Sequence, residues 1–133
     1  MSVPKGLRKQ GDLQVFNCLR ILTCYTLHAV GNEKVFPKKT RWILANRIAT
    51  ECVNASVNIK KANTYRLDDT YAPLRASLQY EARANLEAML GLLEIAYETY
   101  GLETAKVQHW TKLITDTLTT LSAWMKSDKE RLS

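Results

Sequence analysis

Apolar residues recur at three- and four-residue steps in four stretches of the chain, and polar breaks separate them. The first stretch runs from about Asp12 to Val30. Asp12 is a residue type that caps helix starts, and Gly31-Asn32 is a stop signal. Val15, Cys18, Leu22, Tyr25 and Ala29 form one helical stripe, and Phe16, Leu19, Leu27 and Val30 beside it make the apolar face unusually wide. A second helix is expected from Pro37, placed in its first turn, to about Ala62. Leu44, Ala45, Ile48, Cys52, Ala55 and Ile59 supply its core stripe, while Trp42, Val53 and Val57 fall outside it and suggest a second buried surface.

Asn63 to Asp69 is the clearest break. Asp68, Asp69 or Thr70 can cap a third helix, with Pro73 tolerated near its start. Its stripe is Tyr71, Leu74, Leu78, Ala82, Leu86 (or Asn85), Met89, Leu93, Ala96 and Tyr100. Gly101 ends it and Thr104 caps a fourth helix, whose stripe is Val107, Trp110, Ile114, Leu118 (or Thr117), Leu121 and Trp124. Residues 127–133 read as a polar, frayed tail, and about 1–11 as a flexible basic one. Short links between four helices of similar length predict an all-α, up-down-up-down four-helix bundle, one domain over residues 1–133.

Composition narrows the function classes. Five Gly and three Pro in 133 residues are too few to punctuate a many-stranded β fold. No stretch is long and apolar enough to span a membrane. Lys5, Arg8 and Lys9 before an apolar segment imitate a signal peptide, but Asn17, Arg20 and His28 interrupt that segment and no small-residue cleavage site follows. Cys18, Cys24 and Cys52 lack metal-type spacing and read as reduced core residues of a cytoplasmic protein.

Catalytic motifs are scarce. The glycines are scattered, so no Gly-rich phosphate loop exists and no cofactor is called for. Cys24 and His28 stand four residues apart, half of a metal site without convincing further ligands. Glu87, Glu94 and Glu98 lie near one helix face, yet no Glu-x-x-His pair accompanies them, so a solvated acidic face is expected. Asn54-Ala55-Ser56 matches the glycosylation pattern, but in the middle of a cytosolic helix the match carries no meaning. The chain therefore reads as a binding protein and not an enzyme.

Charge is where the sequence speaks most clearly. Residues 1–66 hold twelve Lys and Arg against Asp12, Glu33 and Glu51, a net of +9, whereas residues 67–133 carry −3. Lys38, Lys39 and Arg41 crowd the expected start of the second helix, where the macrodipole disfavours cations, with Lys34 just before them. Unsatisfied helix-start N–H groups with these cations suit a phosphate. Arg47 follows on the same helix, and Lys60, Lys61 and Arg66 cluster where it ends. No sequence-reading motif is present, so nucleic-acid binding would rest on backbone charge and shape.

The segment Phe36-Pro37-Lys38-Lys39-x-Arg41, with the helix that follows, resembles a group of small four-helix-bundle proteins. The group includes the accessory variability determinant of diversity-generating retroelements, and its relatives are proteins encoded in intervening sequences of 23S ribosomal RNA genes. Tyr97-Glu98-Thr99-Tyr100-Gly101 and Leu121-Ser122-Ala123-Trp124 extend the likeness, which covers roughly residues 12–127. The resemblance implies a basic bundle assembled as a homopentameric ring. It also implies that the ring binds the retroelement reverse transcriptase and RNA or DNA during mutagenic retrohoming. The ribosomal-RNA branch implies instead an interaction module with no polymerase partner.

Overall fold

The computed structural model describes residues 10–38 and 41–132, with the side chains of 14–38 and 43–132 placed. Four α-helices follow in order: α1 (Gln10–Gly31), α2 (Asn46–Thr64), α3 (Ala72–Tyr100) and α4 (Thr104–Leu132). A π-helical turn, Arg41–Ala45, leads into α2. Each helix packs against its neighbours in sequence, and α1 closes the bundle against α4. Cross-links between helices fix their directions. Trp110 Nε1 donates to Thr26 Oγ1 at 3.0 Å while Phe16 meets Trp124, so α1 and α4 run antiparallel. Asn58 donates to Asn85, and Arg75 to the Tyr65 carbonyl, which sets α2 against α3 in the same sense. The arrangement is up-down-up-down.

The core follows the expected register through most of its length. Val15, Leu19, Leu22 and Ala29 of α1 meet Ile48, Cys52, Ala55 and Ile59 of α2. Leu86, Met89, Leu93 and Ala96 of α3, with Trp110, Ile114, Leu121 and Trp124 of α4, complete it. Cys18, placed on the core stripe by its spacing, is only half-buried, and Leu19 takes the position. Gly101 ends α3 with φ of 62°, a left-handed geometry that side chains resist, and its N–H bonds the Tyr97 carbonyl.

The start of α2 differs from the expectation. Pro37 and Lys38 lie in the connection, and the regular helix begins only at Asn46. Phe36 explains the delay: it is fully buried, edge-on to Trp110, with its N–H bonded to the Asn32 carbonyl. Its burial pins the chain under the bundle end, and the backbone must climb through the π turn before α2 can pack. α1 ends at Gly31, where the stop signal was expected, but it already includes Gln10, so Asp12 lies within the helix and not at its cap. Asp12's side chain and residues 1–9 lie outside the described residues.

At the opposite end of the bundle the polar register overturns two expectations. Leu74 is half-exposed and Tyr71 is exposed, while Arg75 and Gln79 hold the core positions of the first turns of α3. Asp128, expected in a frayed tail, is 6% exposed on a helix that continues to Leu132. Its carboxylate accepts from Arg75 Nε (2.7 Å), Arg75 Nη2 (3.1 Å) and Gln79 Nε2 (3.0 Å). The guanidinium also lies 5.0 Å from the Trp124 ring centroid. A buried charge tolerates such a site only when paired and hydrogen-bonded, and here it is.

Candidate functional site

The expected basic residues divide between the two ends of the bundle. Lys38 is exposed in the α1–α2 connection; Lys39 and the Arg41 side chain lie outside the described residues. The phosphate cradle expected there rested on a helix starting at Pro37, and that start is displaced. Arg47 is exposed in the first turn of α2, on the side that faces α3. Lys60 and Lys61 are exposed in its last two turns. Arg47 and Lys61 are fourteen residues apart on one helix, about 21 Å along its axis at 1.5 Å per residue. No single phosphate can engage both.

Arg66 is already engaged. It is 80% exposed, but its Nε lies 3.4 Å from Asp68, and its guanidinium covers the Tyr71 ring at 5.7 Å. Asp68 has a second duty, since its Oδ1 accepts the N–H groups of Thr70 and Tyr71 ahead of α3. The N-cap of α3 is Tyr71, which makes no side-chain capping bond, so neither Asp68, Asp69 nor Thr70 caps the helix as expected; Asp68 instead orders the turn that leads into it. Lys61 sits in the last turn of α2, where the macrodipole favours a cation, so its placement has a structural reason as well.

One grouping was not foreseen. Lys60 of α2 faces Arg20 of α1 across a groove of about 320 Å³, walled by Phe16 and Leu19 and rimmed by Thr23, Cys24 and Ser56. Arg20 donates to Asn17 at 2.9 Å, and among the described residues no carboxylate pairs with it. Cys24, expected in the core, is exposed here, because α1 turns Leu22 and Thr26 inward and Cys24 outward. Four-residue spacing from Phe16 to Arg20 to Cys24 was the available signal. Composition hid it, since Cys counts as apolar.

The other thiols are different. Cys52 is buried; its Sγ–H donates to Thr23 Oγ1 at 3.7 Å, and burial raises its pKa against the lowering effect of the Thr23 and Thr26 hydroxyls. All three cysteines are free. His28 is exposed four residues beyond Cys24, and among the described residues no three His, Cys, Asp or Glu side chains converge as metal ligands. Glu87, Glu94 and Glu98 are solvent-exposed on α3, as expected.

A second groove of about 460 Å³ lies between α2 and α3. Exposed Ile43 and Ile95 stand over a low floor of Ala88 and Gly91, with Arg47 and Glu51 alongside. The Glu51 carboxylate accepts from Asn85 at 3.1 Å. Val53 and Val57, two of the extra apolar positions predicted for this helix, are exposed on its outer side and form no second buried surface, while the Trp42 side chain lies outside the described residues.

Among the described residues no helix is long and apolar enough to cross a membrane. No protein-family model matches the chain, and no curated protein matches it, so the bundle and its charge distribution carry the functional reading.

Proposed function

We propose that the chain is a non-catalytic accessory protein that binds a polyanion through its α1–α2 half. In the finer form of this reading the polyanion is RNA or DNA and the protein partner is the reverse transcriptase of a diversity-generating retroelement. The working form is then a cytoplasmic homo-oligomer, a pentameric ring on the family resemblance. One observation carries the proposal. Between Gln14 and Thr64 the chain has eight Lys and Arg but only Glu33 and Glu51 as acids, and Glu51 is tied to Asn85. A surface so poor in carboxylates attracts phosphate from any direction.

The cations are spread along α2, which suits a strand laid along the bundle better than a single bound phosphate. Affinity for single-stranded RNA should therefore fall steeply with salt, with about −0.7 in log–log slope for each phosphate contact. Contacts from Arg47, Lys60 and Lys61 imply a slope near −2, about −0.7 of it lost with each Ala substitution. A slope indistinguishable from zero would remove nucleic acid from the account.

A second reading is favoured by a specific feature. Leu27, Val53 and Val57 are 49%, 41% and 42% exposed beside the same cations. Aliphatic side chains contribute little to phosphate contact but much to protein association. On this reading the bundle is a protein-interaction module like those of the ribosomal-RNA branch. Light scattering and gel shift on one preparation separate the two: RNA complexes support the first, and none at low salt supports the second.

A further inference from the structure

We propose that Arg66, Tyr71 and Tyr65 form a nucleobase-stacking site that makes the polyanion-binding surface selective for single strands. The inference rests on the polyanion reading above and adds what cations alone cannot supply, a means of telling bases from bare phosphate. All three residues stand in the connection between α2 and α3. The Tyr65 and Tyr71 rings stack with centroids 5.9 Å apart and planes 24° from parallel. The Arg66 guanidinium lies over the Tyr71 ring at 5.7 Å. Aromatic rings and guanidinium planes are the surfaces on which unpaired bases stack.

The stack is built before any ligand arrives. One Asp68 carboxylate oxygen lies 3.4 Å from Arg66 Nε, and the other accepts the N–H groups of Thr70 and Tyr71. A single acid thus fixes both the guanidinium and the backbone that carries the ring, which lowers the ordering cost of binding. Asp68 also answers the charge of Arg66, so this residue offers a ligand its plane more than its charge. Tyrosines that serve the fold look different in this bundle. Tyr25 and Tyr97 are half-buried, with their hydroxyls bonded to the Lys106 carbonyl and to Thr104. By contrast, the Arg66 side chain is 80% exposed and Tyr71 is 36% exposed. Neither phenol of the stacked pair has a hydrogen-bond partner among the described residues.

Charge sets which side of the stack a backbone takes. Lys61 stands one helical turn before Tyr65, with Lys60 next to it, and both are exposed. Asp69, exposed after the stack, repels phosphate. The phosphates of a bound strand therefore run on the α2 side, and a base turns towards Arg66 and Tyr71. Only a single strand can do this, because the faces of duplex bases are covered by their neighbours in the helix.

The probes are an oligothymidylate of about twelve nucleotides, an abasic strand of the same length and charge, and the matching thymine–adenine duplex. Anisotropy titrations at one low salt concentration should show the thymidylate bound on the order of tenfold more tightly than the abasic strand. Tyr71→Leu should abolish that preference at an unchanged salt slope, and Tyr71→Phe should keep it. Arg66→Lys retains the charge but not the planar face, so it should shrink the preference while the slope stays the same. Lys61→Ala should do the reverse, flattening the slope and preserving the preference. Circular dichroism should be unchanged in all four variants, because the Tyr71 side chain makes no capping bond and Arg66 and Lys61 are exposed. Equal affinity for the thymidylate and the abasic strand would overturn the stacking site, and so would a preference that survives Tyr71→Leu or a duplex bound as tightly as the single strand. Each of those results, with binding still salt-dependent, leaves the polyanion reading standing. No binding of any probe at low salt would overturn both.

Discussion

Replacing Asp128 with Ala removes the acceptor of three hydrogen bonds, two from Arg75 and one from Gln79, from a site 6% exposed. The guanidinium then keeps the Tyr65 carbonyl at 3.0 Å and the Trp124 ring as neighbours, with no counter-charge in reach among the described contacts. Breaking a buried pair by removing one partner costs about 3–5 kcal/mol, a large share of the roughly 5–15 kcal/mol that holds a domain together. With a urea m-value of about 2 kcal/mol per M, the unfolding midpoint should drop by about 2 M. Equilibrium urea unfolding followed by circular dichroism reads this directly. The double variant Arg75→Met with Asp128→Leu should return close to the starting stability, because a well-packed apolar pair avoids the desolvation that the charges suffer. A loss below about 1 kcal/mol for Asp128→Ala would match an exposed ion pair and refute the packing of the last turn of α4.

Two further predictions concern backbone and thiols. Gly101→Ala places a Cβ at φ 62° and should cost about 1–2 kcal/mol, seen as a lower Tm, although open space surrounds the position. Cys24 should react with iodoacetamide before Cys18, and Cys52 only on unfolding, because burial keeps its thiol protonated. Cys52 and Tyr25 both have folded-state pKa values raised by burial from 9.0 and 10.0, with Glu103 adding to the effect at Tyr25. Their contribution to stability is therefore present below pH 9 and lost as pH rises through the raised values. Unfolding midpoints measured from pH 7 to 11 should decline above pH 9, less so in a Cys52→Ala variant compared with its own neutral value.

Most of the bundle was legible because its helices bury apolar residues in a clean 3.6-residue period. The stripe Ile48, Cys52, Ala55 and Ile59 needed only counting, and Gly101 needed only its place after Tyr100. Arg75, Gln79 and Asp128 were missed for a physical reason. Hydrophobic periodicity scores a charged residue as outward-facing, and a paired buried charge violates that assumption. The register itself was visible: 75, 79, 82 and 86 continue the core stripe of α3 backward, and 121, 124 and 128 continue that of α4 forward. Thr26 was hidden in the same way, since its hydroxyl is buried to accept the Trp110 N–H.

The basic residues were legible as a composition but not as a site. Sequence gives the spacing of Arg47 and Lys61, yet only the continuous helix converts it to about 21 Å. The pairing of Lys60 with Arg20 across α1 and α2 depends on interhelical register, which no local pattern encodes. The displaced start of α2 depended on Phe36, whose burial beneath Trp110 joins residues far apart in the chain.

The most direct test of a binding function seated on the α1–α2 half is a comparison of charge reversals on the two halves. The protein, its Arg47→Glu, Lys60→Glu, Lys61→Glu variant and its Glu87→Lys, Glu94→Lys, Glu98→Lys variant would each be titrated against single-stranded RNA at low salt. All six positions are exposed, so the bundle should tolerate both changes. The account predicts that the first reversal lowers affinity at least about a hundredfold, three contacts at roughly 1 kcal/mol each, and that the second leaves it unchanged or raises it. Equal loss from both reversals, or no loss from the first, would contradict it.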